Sequence, residues 1–321
     1  MIKPFSQLLL AAVSACCASL ALAQAYPEKP IHVVVPFGAG SSTDTLARAV
    51  TTAMSEEIGK AIVVDNKPGA EGFIGVQAVQ TAAADGYTLL LTSSSTHVLN
   101  VHLYKTLPYD AIKDFAPIST LGIIPLALNT KTGSPFTSVQ TVIDAARKQP
   151  GKITFGSATA SMRLSGEMFQ QKTGVNLLNV PYKSVAAAVT DLLGGQIDLV
   201  FVDSTSVGAQ VKAGTVKVLG VTTQKRNPSM PNVPTIEEAG VPGYDFSAWF
   251  GVYAPARTPT AIVNRLHAVI TKAMSAKQVQ NVMDFGGMQT VTLGPDAFRA
   301  FNIAEIDKLG ALIKAAGIEA K

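Results

Sequence analysis

Short β-branched runs alternate along this chain with stretches whose apolar residues recur every three or four positions. Ile31-His32-Val33-Val34-Val35 is almost continuously apolar, the mark of a strand covered on both faces. A turn-forming stretch follows, Pro36-Phe37-Gly38-Ala39-Gly40-Ser41-Ser42. Thr43 or Ser42 is placed to cap the next helix, with Asp44 in its first turn. Leu46, Ala47, Val50 and Met54 then recur at helical spacing up to Gly59. Ile62-Val63-Val64 predicts a second strand. Val76, Val79 and Ala83 predict a helix after Gly72 to Gly75, and Tyr87-Thr88-Leu89-Leu90-Leu91 a third strand after the turn Asp85-Gly86. Strands alternating with helices predict a parallel, helix-covered sheet with right-handed crossovers.

The same layout starts again near residue 129. Ile153-Thr154-Phe155 predicts a strand, and Gly156-Ser157-Ala158-Thr159-Ala160-Ser161 is a second small-residue loop. Leu164, Met168 and Phe169 mark a helix, Leu178-Asn179-Val180 a strand, and Ala186, Val189, Leu192 and Leu193 a helix closed by Gly194-Gly195. Two more strands follow, Ile197 to Val202 and Val218 to Val221, with Asp203-Ser204-Thr205 just beyond the first of them. Phe246 to Tyr253 is strand-like and leads through Pro255 into a helix from about Thr260 to Met274; a last helix runs from about Pro295 to Ala316. A chain that builds one domain, leaves for another and returns must cross twice. The crossings are expected near Ile124–Asn129 and Asp245–Tyr253, so that residues 26–128 and 246–321 form one domain and 129–245 the other. Two crossings suit hinge closure around a ligand.

The first 25 residues do not fit this α/β pattern. Lys3 precedes an apolar run from Leu8 to Ala23 that ends in small-x-small sequences, the layout of a secretory signal. The run is shorter than the ~20 residues a membrane span needs. Cleavage is expected after Ala25, with Ala23 as the competing site and lipoprotein processing at Cys16 as a third route. Both cysteines, Cys16 and Cys17, lie in this segment, so the exported chain of about 296 residues has none. That length favours two domains. The net charge of +4 is spread along the chain without a Lys/Arg stripe, which argues against a nucleic-acid partner.

Candidate chemistry concentrates in three small-residue or hydroxyl-rich loops, each just after a strand. Phe37, Gly38, Ala39, Gly40, Ser41, Ser42 and Thr43 form the first, Ser93, Ser94, Ser95 and Thr96 the second, and Ser157, Ala158, Thr159, Ala160 and Ser161 the third. Small residues let backbone approach a ligand, and helix N-termini favour anions. In parallel sheets ligands sit beyond the carboxyl ends of strands, where these loops lie. Gly38-Ala39-Gly40 lacks the third glycine and the acidic partner of a dinucleotide site, so no cofactor is expected. His32, His97, His102 and His267 have no metal-ligand spacing, so no metal is expected either. No Gly-x-Ser-x-Gly elbow or acid–base set stands out, and the chain reads as a binder rather than an enzyme. Asp203, just past a strand, is placed to orient a ligand or a water.

Several ordered motifs resemble the Bug (TctC-like) solute-binding receptors. They include Tyr26-Pro27-Glu28-Lys29-Pro30-Ile31, Val35-Pro36-Phe37 with Thr43-Asp44, Asp65-Asn66-Lys67-Pro68-Gly69-Ala70, Asp85-Gly86-Tyr87-Thr88-Leu89 and Val180-Pro181-Tyr182-Lys183. Asp191-Leu192-Leu193-Gly194-Gly195-Gln196 and Glu238-Ala239-Gly240 extend the match over the whole exported chain. The resemblance implies a type II periplasmic binding protein fold, two doubly wound α/β domains with a ligand cleft between them. It also implies a periplasmic monomer that captures a small organic acid for the membrane subunits of a tripartite tricarboxylate transporter, or for sensing. Gly40-Ser41-Ser42 stands where the family carries two or three glycines before Thr-Asp, and Arg163 replaces the usual His before Leu164. A guanidinium there offers a planar fork to a distal carboxylate, with the ion-pairing geometry such forks favour. On that reading Arg163→Ala weakens a dicarboxylate more than a monocarboxylate.

Overall fold

The computed structural model describes residues 26–315 and 317–320. The proposed signal segment, with Cys16 and Cys17, and the last residue of the expected final helix lie outside them. Two sheets organise the chain. The first runs in the order β11-β4-β10-β3-β1-β2, with β1 at Ile31–Val35, β2 at Ile62–Asn66, β3 at Thr88–Ser93, β4 at Phe115–Pro125, β10 at Ser247–Pro255 and β11 at Gln289–Thr290. The second runs β7-β6-β8-β5-β9, with β5 at Ala127–Lys131, β6 at Thr154–Ser157, β7 at Leu178–Pro181, β8 at Leu199–Val202 and β9 at Val216–Val221.

Apart from the short edge strand β11, the two sheets share one plan. Three parallel strands (β2-β1-β3 and β7-β6-β8) are followed by one antiparallel strand and then a strand at the far side. The antiparallel members are β10 and β5. Both sheets therefore depart from the all-parallel reading of the sequence, because strand spacing carries no information about the direction of a strand that arrives from the other sheet. β3 is buried from Leu89 to Ser93, and β10 from Ala248 to Pro255, which requires cover on both faces.

The connecting helices follow from local signals. α1 spans Ser42–Ile58, with Ser41 as its cap, one residue before the two expected from sequence; the Ser41 hydroxyl accepts the Asp44 N–H at 3.3 Å. Gly59 ends it in the left-handed conformation that a Cβ disfavours. α2 is Phe73–Gln80, a π-helical turn covers Ser95–Leu99, and α3 is Asn100–Leu103. In the second lobe come α4 (Val139–Lys148), α5 (Ala160–Thr173), α6 (Val185–Gly194) and α7 (Ser204–Lys212). After the return, α8 is Thr260–Met274, α9 Lys277–Gly286 and α10 Pro295–Ala315.

The crossings meet at one side chain. β4 ends at Pro125 and β5 begins at Ala127, while β9 ends at Val221 and β10 begins at Ser247. Buried Thr222 joins them. Its hydroxyl accepts the Leu126 N–H at 2.9 Å and donates to the Phe246 carbonyl at 2.7 Å, and its backbone pairs with Leu126 and Phe246 at 2.9 Å each.

Candidate functional site

Four helices begin just past the carboxyl ends of parallel strands and bring their N-termini to the gap between the lobes. α1 follows β1, α5 follows β6, α6 follows β7, and α7 follows β8. Their caps are Ser41, Thr159, Ser184 and Asp203, each accepting a first-turn N–H. The remaining first-turn amides give the gap a partial positive character suited to an anion.

The gap holds two neighbouring chambers. The inner one, about 40 Å³, lies between Ser41, Ser42, Thr43, Ser93 and Ser95 of the first lobe and Thr159, Ser161, Met162 and Asp203 of the second. That is close to the share of liquid volume of one water. The outer one, about 300 Å³, lies between Pro36–Gly38, Gly69–Phe73 and Tyr104 on one side and Ala158, Thr159 and Pro181–Val185 on the other. Such a volume is at the small end of ligand sites. Phe37, Thr159 and Val185 border both.

The lobes touch around the inner chamber. The Ser95 and Ser161 hydroxyls lie 2.9 Å apart, and the Ser161 N–H donates to Ser95 Oγ at 3.2 Å. The Ser42 hydroxyl donates to the Asp203 carboxyl. A Cβ on Gly38 would come within 3.0 Å of Ser184 Cβ, so the first loop depends on glycine for this approach.

Two acidic groups compensate two of the four helix ends. Burial alone would raise the Asp44 pKa, but hydrogen bonds from Arg48, the Gly40 N–H and Asn66 outweigh it and hold the carboxyl below its usual range. The Asn66 amide also donates to the Phe37 carbonyl at 3.0 Å, fixing the loop to the end of β2. Asp203, fully enclosed, is shifted upward, because desolvation outweighs the donors from Ser42 and Ser206. α5 and α6 carry no acid in their first turns.

The structure gathers eleven of the residues singled out from sequence around the chambers: Phe37, Gly38, Ser41, Ser42, Thr43, Ser93, Ser95, Ala158, Thr159, Ser161 and Asp203. Seven others stand elsewhere. Ala39 and Gly40 are exposed, and the Gly40 N–H serves Asp44 at 2.9 Å. Buried Ser94 accepts the Trp249 N–H at 3.4 Å, and Thr96 turns inward to Thr92 at 2.7 Å and His97 at 3.0 Å. Ser157 donates to Asn179 at 2.7 Å, and Ala160 is buried in the first turn of α5. Arg163 does not line either chamber: its guanidinium bonds Glu167 one turn on at 2.6 Å, a partner that i, i+4 spacing offers on any helix.

His97 is likewise structural. It stacks on Tyr253 at 4.1 Å, with Phe115 edge-on at 4.8 Å, and burial lowers its pKa to about 3. Sequence reasoning missed Glu71, Tyr104 and the stretch Pro181–Val185. A signal for the last was present: Ser184 follows a predicted strand and precedes a predicted helix, as Thr159 does. Among the described residues, no group of three or more His, Cys, Asp or Glu is placed to hold a metal.

The family model described as the tripartite tricarboxylate transporter family receptor (TctC) matches residues 46–318. The chain belongs to the TctC family. Protein BugT of Bordetella pertussis is 34% identical over 302 residues, covering 93% of each chain. The structure of periplasmic binding protein BugD superimposes with a TM-score of 0.88 at 33% identity, over 92% of this chain and 100% of that one. Rpa4515 of R. palustris, solved with adipate, gives 0.89 at 34% identity, with 92% and 100% coverage. Membership of the TctC family carries with it the two-domain α/β fold of periplasmic binding proteins, as the sequence motifs implied.

Proposed function

We propose that this protein captures a small carboxylate-bearing solute in the cleft between its lobes. It would do so in the periplasm and hand the solute to the membrane subunits of a tripartite transporter or to a sensing pathway. The observation that carries this reading is the convergence of four helix N-termini on one gap, two of them with neither an acidic cap nor an acid in the first turn, with hydroxyls lining the space between them. Such a site holds an anion by shared dipoles and donors, which suits reversible capture. The adipate bound to Rpa4515 supports the ligand class, the periplasmic description of BugD supports the compartment, and the family description supports the transporter. Among the described residues, no helix is long and apolar enough to cross a membrane.

A thermal-shift screen of organic acids against the exported chain tests the reading. A ligand specific to the native state stabilises it by about 2.7 kcal/mol at a hundred times its Kd. One or more acids should raise Tm in a concentration-dependent way, with calorimetric binding at one site per chain. A folded protein whose melting no acid shifts overturns the proposal.

A further inference from the structure

The lobes meet again outside the chambers, where α9 touches α7. Buried Val279 and Met283 fix α9 to the first lobe, with Met283 against Gly122 of β4. The C-terminal end of α9 reaches across to the second lobe. The Phe285 ring lies so close on Gly208 of α7 that a Cβ there would overlap it. A Cβ on Gly286 would stand 2.7 Å from the Thr205 hydroxyl, and one on Gly287 would overlap the Asn227 side chain. The Ser229 hydroxyl donates to the Asp284 carbonyl, and the Asn227 side chain holds the same loop by accepting the Ser229 N–H at 2.9 Å. None of these residues lines either chamber.

One helix thus carries two interfaces with the first lobe. Asp203, the cap of α7, borders the inner chamber and takes the Ser42 hydroxyl, while Thr205 and Gly208 further along it carry the α9 contact. Phe285 on its seat and the Ser95–Ser161 contact across the cleft belong to one arrangement of the lobes. Each contact therefore favours that arrangement over one in which the lobes stand apart. Phe285 stays 51% exposed, and an apolar pocket of about 190 Å³ bounded by Val207, Val211 and Val218 lies beside it. A phenyl ring that is only half buried makes a contact weak enough to form and break. Free energy that favours the closed arrangement adds equally to the affinity of every solute that requires closure. We propose that Phe285, seated on Gly208, is a latch that sets how tightly the cleft retains a solute without touching the solute. The proposal rests on the proposed cleft function and names residues that tune it from outside the site.

Gly208→Ala, Phe285→Ala and the double variant of the exported chain test it. Alanine suits a helix interior better than glycine, so Gly208→Ala should hold or raise Tm while its methyl denies Phe285 its seat. Calorimetry with adipate, and with the acid that shifts Tm most in the screen, should show each single variant binding at least about threefold more weakly than the native chain, by the same factor for each acid. The double variant should bind as Phe285→Ala does, since a methyl on α7 obstructs nothing once the ring is gone. The proposal is overturned, with the cleft function intact, if the single variants weaken binding by less than that factor, if the loss in Gly208→Ala comes with a fall in Tm, if the factor differs between acids, or if the two substitutions act additively. Binding of no acid by any of the four proteins overturns the cleft function and this proposal with it.

Discussion

The hydroxyls of Ser95 and Ser161 meet at 2.9 Å although one belongs to each lobe and 66 positions separate them in the chain. Ser95 Oγ also accepts the Ser161 N–H, so one side chain satisfies two groups of the opposite lobe. Ser95→Ala removes both bonds. A buried hydrogen bond contributes about 1 kcal/mol, and an orphaned donor costs more. Affinity for an acid found in the thermal-shift screen should fall about tenfold by calorimetry. An unchanged Kd would show that the contact plays no part in closure.

Thr222→Val is nearly isosteric and tests the junction of the crossings. It leaves the Leu126 N–H and the Phe246 carbonyl without their hydroxyl partner in a buried place. Unfolding free energy from urea titration should drop by about 1–3 kcal/mol. A loss below about 0.5 kcal/mol would mean that water replaces the hydroxyl without cost.

Asp44 and Asp203 should respond to the same substitution in opposite directions. The folded-state pKa of Asp44 is depressed, so its contribution is present above the ordinary carboxylate range and is lost as pH falls through the folded value. Asp44→Asn should destabilise at pH 7, and the gap to the native chain should close in acid. Asp203 is shifted upward, so its ionised form weakens the fold at neutral pH, and stability is regained as pH falls through its folded pKa towards the ordinary value. Asparagine caps a helix as well as aspartate, so Asp203→Asn should hold or raise Tm at pH 7. Urea midpoints across pH 3–8 for both variants check the signs; equal shifts of the same sign refute the assignment.

Arg163→Ala should act on stability and not on selectivity, contrary to the expectation from sequence. Its guanidinium is paired with Glu167, both largely buried, and truncation strands the acid. Tm should fall, while Kd values for a dicarboxylate and a monocarboxylate move together. A selective loss for the dicarboxylate would restore the distal-carboxylate role.

Much of the site was readable because its geometry is local. A strand, a small-residue turn and a capped helix lie within about ten residues, so Ser41 to Thr43, Thr159 and Ser161 declared themselves. Which hydroxyls face outward did not. Ser94 and Thr96 have the composition of Ser93 and Ser95, but the Ser94 hydroxyl accepts the Trp249 backbone N–H and the Thr96 hydroxyl bonds Thr92 and His97, partners that composition does not reveal. Arg163 was misplaced for a related reason, since sequence shows a charge without showing which partner reaches it first. Glu71 and Tyr104 are 33 positions apart and meet only because the turn before α2 and the end of α3 share one end of the first sheet. The direction of β5 and β10 was equally hidden, being set by the path between sheets.

Both strands of passage between the lobes are riveted to Thr222. Sliding the lobes past each other would therefore break bonds at both crossings together, whereas a change of angle about Thr222 need not. If capture of a solute closes the lobes about this junction, a pair of fluorophores set on opposite jaws should read empty and filled as two distances.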